Sequence, residues 1–126
     1  MKLRFISSTM HGIVDYSAAL ALIVSPFVLQ LGVSNPIALW LSVVVGIGVV
    51  IVSTNTIYKY GLFNTIPFSG HLAIDLAAAT VFLAAPFVFN FQGIDLYYYI
   101  VNAGVVYLVV ALSESNTKIN SNNSQS

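Results

Sequence analysis

The chain has 126 residues, of which 58% are hydrophobic and 6% are charged, and its formal net charge is zero. Soluble domains carry about 25% charged residues, so this composition excludes an ordinary water-soluble protein and indicates an integral membrane protein. The zero net charge and the lack of a basic cluster also argue against nucleic acid as a partner.

Four apolar segments predict an all-α, polytopic membrane protein with four transmembrane helices. They lie at residues 11–31, 36–55, 71–90 and 96–112. Each is close to the roughly 17 to 25 residues needed to cross the hydrocarbon core. We expect one membrane domain over residues 1–112 and a disordered polar tail over residues 113–126.

The second half of the chain repeats the first at a distance of sixty residues. Seven residues recur without a gap: His11, Asp15, Ala18, Ala19, Pro26, Phe27 and Val28 reappear as His71, Asp75, Ala78, Ala79, Pro86, Phe87 and Val88. The copies, about residues 8–56 and 68–112, each contain two predicted helices, so both enter the membrane in the same direction. The sequence therefore predicts two parallel two-helix repeats related by an axis along the membrane normal.

All positive charges fall in segments on one side of the predicted domain. Lys2 and Arg4 precede the first helix, Lys59 lies between the second and third, and Lys118 follows the fourth. By the positive-inside rule, both termini and the middle loop are expected to face the cytoplasm. We expect a multi-pass protein of the bacterial inner (plasma) membrane.

The two histidines and two of the four acidic residues occupy matching positions of the repeats. His11 and Asp15 are four residues apart, as are His71 and Asp75, so each pair lies on one helix face. An ionisable group that faces lipid costs about 2.5 to 3.5 kcal/mol at mid-membrane, so these faces are expected to meet inside the bundle. The four residues form the candidate site, with an i,i+4 bond from imidazole to carboxylate expected within each repeat.

Prolines and hydroxyl residues mark the ends of the first and third helices. Thr9 and Ser69 are expected to serve as N-caps. Pro26 and Pro86 each remove one backbone hydrogen bond in the last third of their helix, so a kink or an early helix end is expected at both.

The second and fourth helices carry small and polar residues that suit helix packing. The small residues that would allow close backbone approach are Gly46, Gly48, Ala103 and Gly104. Ser42 and Asn102, sixty residues apart, are expected to form interhelical hydrogen bonds, whereas Asp95 is expected to be solvated at a helix end.

Several of these motifs together resemble the SPW-repeat family of small bacterial membrane proteins. The motifs are His11-Gly-Ile-Val-Asp15-Tyr, Ser25-Pro26-Phe27, the segment 60–67, His71-Leu-Ala-Ile-Asp75 and Ala85-Pro86-Phe87, within a match over about residues 8–112. The family is named for a Ser-Pro-Trp motif in the first helix of each two-helix unit. Here both tryptophans are Phe and the second Ser is Ala, which leaves proline and an aromatic residue in both copies. The resemblance implies a four-helix architecture and brings no particular biochemical activity.

The leading hypothesis for function is a non-enzymatic structural or accessory membrane component. It would contact the lipid bilayer and either further copies of itself or another membrane protein. The chain contains no cysteine, nucleophile elbow or glycine-rich phosphate loop, so no catalytic residue is predicted. In this hypothesis the His–Asp pairs only pack, and neither a metal nor another cofactor is expected.

Two alternatives assign chemistry to His11, Asp15, His71 and Asp75. In one, the four side chains converge and bind a metal ion, or the two histidines bind one b-type haem. In the other, the protein handles protons or ions, with the histidines at the cytoplasmic face and the aspartates as deeper carriers.

Overall fold

A computed structural model describes residues 6–56 and 65–113. Over these residues the chain forms α1 (Ser8–Val28), α2 (Ile37–Thr54), α3 (Phe68–Val88) and α4 (Ile94–Leu112). All four helices are long and apolar enough to span a membrane, which confirms the predicted all-α, multi-pass architecture. The charged residues Lys2, Arg4, Lys59 and Lys118 and the tail from residue 114 lie outside the described residues.

The helices pack as two pairs, and the pairs are the two sequence repeats. α1 packs mainly against α2, and α3 mainly against α4. Short backbone pairings join Ile6 to Ser113 and Thr56 to Ile66. The starts of α1 and α3 and the ends of α2 and α4 therefore gather at one end of the bundle, which we call the cluster end.

Matching residues of the two copies are 60 positions apart in α1 and α3 but 57 positions apart in α2 and α4. Gln30 and Asn90, sixty residues apart, both adopt a φ of 55°, the left-handed conformation common just after a helix. The next connection runs over residues 29–36 in the first repeat but only 89–93 in the second. Because the second loop is three residues shorter, Thr56 just after α2 matches Ser113 just after α4.

This change corrects the expected pairing of Ser42 with Asn102. At the new distance Ser42 matches Tyr99. Ser42 makes the expected interhelical bond, which it donates to the Leu22 carbonyl at 2.8 Å. The amide of Asn102 instead donates to the Tyr98 carbonyl of its own helix.

The predicted N-caps Thr9 and Ser69 are wrong, because both helices begin two residues earlier than predicted, after Ser7 and Pro67. Ser7 caps α1 and accepts a hydrogen bond from the Met10 amide at 3.2 Å. α3 follows Pro67, which has an extended conformation and makes no side-chain cap bond. Thr9 and Ser69 consequently lie inside the first helical turn.

Pro26 and Pro86 lie two residues before the ends of α1 and α3, in agreement with an early helix end. The hydroxyl of Ser42 supplies a donor to the Leu22 carbonyl, the group that Pro26 leaves without its usual partner. A kink at either proline stays a prediction.

Close packing within the first repeat depends on Gly46. A Cβ atom there would come within 2.8 Å of Ile23 Cγ1 and 3.0 Å of Leu22 Cβ. The predicted close approach is thus confirmed at Gly46, and its counterpart Ala103 is also buried. The prediction is wrong for Gly48 and Gly104, because an added Cβ at either would meet nothing within 4 Å.

Asp95 joins the two repeats at the opposite end of the bundle. Its carboxylate accepts hydrogen bonds from the amides of Gly32 (2.9 Å) and Ser34 (3.1 Å) and from the Ser34 hydroxyl (2.6 Å). The residue is buried, so the expectation of a solvated carboxylate is wrong. The longer first loop brings its polar groups to the start of α4, where they replace water.

Candidate functional site

The structure brings all four residues of the candidate site together one turn inside the cluster end. His11 and Asp15 come from α1, and His71 and Asp75 from α3. All four are buried, and one nitrogen or oxygen from each lies within 4.8 Å of the others. We call this group the His–Asp cluster.

The shortest contacts in the cluster run between the repeats. The distance from Nε2 to carboxylate oxygen is 2.9 Å for His11 and Asp75 and 2.6 Å for His71 and Asp15. The contacts within one helix are longer, at 3.2 Å for His11 and Asp15 and 3.3 Å for His71 and Asp75. The expected i,i+4 pairs therefore exist, but each imidazole lies closer to the carboxylate of the other repeat.

The second ring nitrogen of each histidine also contacts the opposite repeat. Nδ1 of His11 lies 2.7 Å from the Ser113 hydroxyl, and Nδ1 of His71 lies 2.7 Å from the Thr56 hydroxyl. Each hydroxyl donates its single proton to the backbone carbonyl four residues earlier, at 2.6 Å. The hydroxyls must then accept from the imidazoles, so both Nδ1 atoms carry a proton.

These bonds determine how many further protons the His–Asp cluster holds. A nitrogen and an oxygen at 2.6 or 2.9 Å need a proton on one of the two atoms, because two lone pairs would repel each other. The two short contacts thus hold one proton each. Whether each proton lies on nitrogen or on oxygen, the net charge of the four side chains is zero, which suits a buried site.

Aromatic and aliphatic side chains surround the cluster. The Phe68 ring packs edge-on against His11, with ring centroids 5.2 Å apart. Toward the middle of the bundle, the buried positions of α1 that follow Asp15 are Ala19 and Leu22. The corresponding buried positions of α3 are Ala79 and Phe82. The polar layer is therefore followed by an apolar one.

A family model for the SPW repeat domain matches residues 9–114 of the chain. The chain belongs to the SPW repeat family. This result confirms the resemblance seen in the sequence, and the matched segment includes both repeats and the whole His–Asp cluster. Neither the curated proteins nor the solved structures contain a match to this SPW repeat protein.

The motif for which the SPW repeat family is named links the repeats in one copy. Ser25 lies 3.2 Å from the Tyr98 hydroxyl of α4, which in turn lies 2.6 Å from the Ser42 hydroxyl. Pro26 is buried, whereas Phe27 faces outward and packs edge-on against Trp40. The second copy has Ala85 in place of Ser25 and thus cannot form the same link.

Sequence reasoning missed the two hydroxyl residues that orient the histidines. Ser113 was assigned to the polar tail, but it is buried and bonded to His11. Thr56 and Ser113 are 57 residues apart, so a comparison at a distance of sixty does not align them. The signal that could have found them is a hydroxyl residue just after each of the two even-numbered helices.

Proposed function

We propose that this SPW repeat protein is a non-enzymatic structural component of the membrane, in which the His–Asp cluster joins the two repeats. One observation carries the proposal: both ring nitrogens of each histidine lie within 2.9 Å of a polar side-chain oxygen of the opposite repeat. In hydrocarbon a polar group must find its partner within the protein. The two repeats therefore stabilise each other at the cluster end.

The packing of the helices supports this role. α1 packs mainly against α2 and α3 mainly against α4, whereas the His–Asp cluster connects α1 to α3. At the opposite end, Asp95 bonds to the first loop, and the Tyr99 hydroxyl donates to the Ala38 carbonyl at 2.6 Å. Polar bonds thus connect the repeats at both ends of an otherwise apolar bundle.

The apolar layer beyond the cluster favours a structural site over a path for protons or ions. Ser25, which contacts Tyr98 of the other repeat, lies ten positions after Asp15 on α1, or about 15 Å of helix rise away. Ala19 and Leu22 occupy the buried positions between them. A chain of hydrogen bonds along this face would need polar groups that the described residues do not place there.

We further propose that the protein lies in the bacterial inner membrane with the cluster end toward the cytoplasm. Arg4 precedes Ile6 in the chain, and Lys59 lies between Thr56 and Ile66, all by sequence position. Ile6, Thr56 and Ile66 are all at the cluster end. Positive residues adjoining this end support a cytoplasmic location.

The lipid-facing surface is the part of the molecule that could contact another membrane protein. Large apolar side chains such as Leu20 (65% exposed), Trp40 (57%) and Leu108 (58%) point away from the bundle. Crosslinking in native membranes distinguishes an accessory subunit from a self-contained structural protein. Products that contain only this chain would count against an accessory role.

Thermal unfolding of the full chain in detergent tests the structural role. Asp15→Asn and Asp75→Asn should each lower the free energy of unfolding by about 1 to 3 kcal/mol, because each removes the closer of the two carboxylates that contact one buried imidazole. Ser17→Ala is the matched control, since Ser17 is exposed on α1 close to Asp15. Wild-type stability in both Asn variants would overturn the proposal.

A further inference from the structure

We infer that the His–Asp cluster is also a site for one divalent transition-metal ion of the Zn²⁺ type, which goes beyond the proposed structural role. The ligands would be Nε2 of His11 and His71 and one oxygen each of Asp15 and Asp75. These are the four side chains whose donor atoms converge within 4.8 Å. The structural role does not depend on this ion, so each can fail without the other.

The distances in the cluster are close to those of a tetrahedral site. Zinc binds imidazole nitrogen and carboxylate oxygen at about 2.0 to 2.2 Å, which places neighbouring ligand atoms about 3.3 to 3.6 Å apart. The four nitrogen-to-oxygen distances here are 2.6, 2.9, 3.2 and 3.3 Å, of which the 2.6 and 3.2 Å distances involve different oxygens of Asp15. With one donor atom from each residue, all four atoms lie within 4.8 Å of one another. An ion would therefore push the closest nitrogen–oxygen pairs apart by about 1 Å or less and draw any more distant pair together by a similar amount.

The charges also balance. Two neutral imidazoles and two carboxylates carry a charge of −2, which one divalent ion neutralises. The ion takes the place of the two protons on the short contacts, and both protons leave to solvent without any change of oxidation state. The buried site is electrically neutral before and after binding.

The histidines are already oriented as metal ligands. A ligating imidazole usually donates its other N–H to a fixed acceptor, which determines the tautomer and the ring orientation. Ser113 and Thr56 are such acceptors, and each is itself held by a bond to a backbone carbonyl. The Nε2 atoms of both rings consequently point toward the shared centre.

The ligand set selects among ions and cofactors. Two imidazoles and two carboxylates at tetrahedral spacing suit Zn²⁺ and similar ions, whereas Ca²⁺ takes six to eight oxygen ligands. A haem would need its porphyrin between the two imidazoles. The Asp15 and Asp75 carboxylates contact both Nε2 atoms in that space. The contacts thus favour a single ion over a haem.

The test is a Zn²⁺ titration of the full-length protein, purified in detergent and first treated with a chelator. We expect saturable binding of one Zn²⁺ per chain with the release of two protons, and visible absorption bands of tetrahedral Co²⁺ when Co²⁺ replaces Zn²⁺. Folded wild-type protein that binds no Zn²⁺ stoichiometrically would overturn the inference and would leave the structural proposal standing.

Variants show whether a bound ion occupies this cluster. Ser113→Ala and Thr56→Ala keep all four ligands but remove an orienting hydroxyl, so each should weaken Zn²⁺ affinity about 10- to 100-fold. Ser17→Ala removes an exposed hydroxyl of α1 outside the cluster and should leave the affinity unchanged. Equal binding by wild type and the double variant Asp15→Asn/Asp75→Asn would show adventitious binding elsewhere and contradict the inference.

Discussion

At the scale of single residues, each histidine of the cluster contacts two different kinds of partner. One ring nitrogen contacts carboxylates, and the other donates to a hydroxyl that is anchored on a backbone carbonyl. The hydroxyl can only accept from the ring, because its own proton is used. Thr56 and Ser113 therefore determine which ring nitrogen faces the cluster.

Substitution of Thr56 tests this role of the hydroxyl. Thr56→Val keeps the shape of the side chain but removes the acceptor for Nδ1 of His71, so we expect a loss of about 1 to 3 kcal/mol in the free energy of unfolding. Thr56→Ser should remain close to wild type, since the matching position 113 is already serine. The measurement is unfolding of the purified protein in detergent. Equal stability of the Val and Ser variants would contradict the role.

Some contacts of the His–Asp cluster could be predicted from the sequence, and others could not. The spacing of His11 and Asp15 predicted their shared face and, with the repeat, their meeting with His71 and Asp75. It could not predict that the shorter contacts run between the repeats, because the two carboxylates near each imidazole are chemically identical. Only the packing of α1 against α3 decides between them.

At the scale of helices, the two copies of the repeat match at two different sequence distances. The odd-numbered helices keep a distance of sixty residues, and the even-numbered helices shift to 57 because the second loop is shorter. The four helices were predictable because each is a long apolar segment. The match between residues of α2 and α4 was not predictable, because a loop that is three residues shorter does not change the apolar pattern of the helices.

The packing of α1 against α2 gives a test at the same scale. Gly46→Val would place methyl groups into Leu22 and Ile23, and we expect a loss of about 1 to 3 kcal/mol in the free energy of unfolding. Gly48→Val is the matched control, because an added Cβ there meets nothing and the corresponding residue in the second repeat is Val105. If both variants unfold alike, loss of glycine rather than close packing is responsible.

At the scale of the whole molecule, the bundle has two polar layers separated by an apolar one. The His–Asp cluster forms one layer, and Asp95 with the first loop forms the other. The remaining outward surface is largely apolar, as expected for a protein surrounded by lipid. The exposed apolar side chains thus define the bilayer-facing surface.

The orientation in the membrane can be tested with introduced cysteines, because the chain has none of its own. Val33 is 88% exposed at the end opposite the cluster. In spheroplasts, a membrane-impermeant maleimide should label the Val33→Cys variant directly and the Ser121→Cys variant only after lysis. The reverse pattern would place the cluster end outside.

The central claim is that the cluster couples the two repeats, and a pair of double-mutant cycles sharing Asp15 tests it most directly. One cycle combines Asp15→Ala with His71→Ala, across the 2.6 Å contact, and the other combines it with His11→Ala, across the 3.2 Å contact. Unfolding free energies measured with a chelator present should give a coupling of about 1 kcal/mol or more for Asp15 and His71, and a smaller one for Asp15 and His11. A coupling that is equal or larger within the repeat would contradict the account.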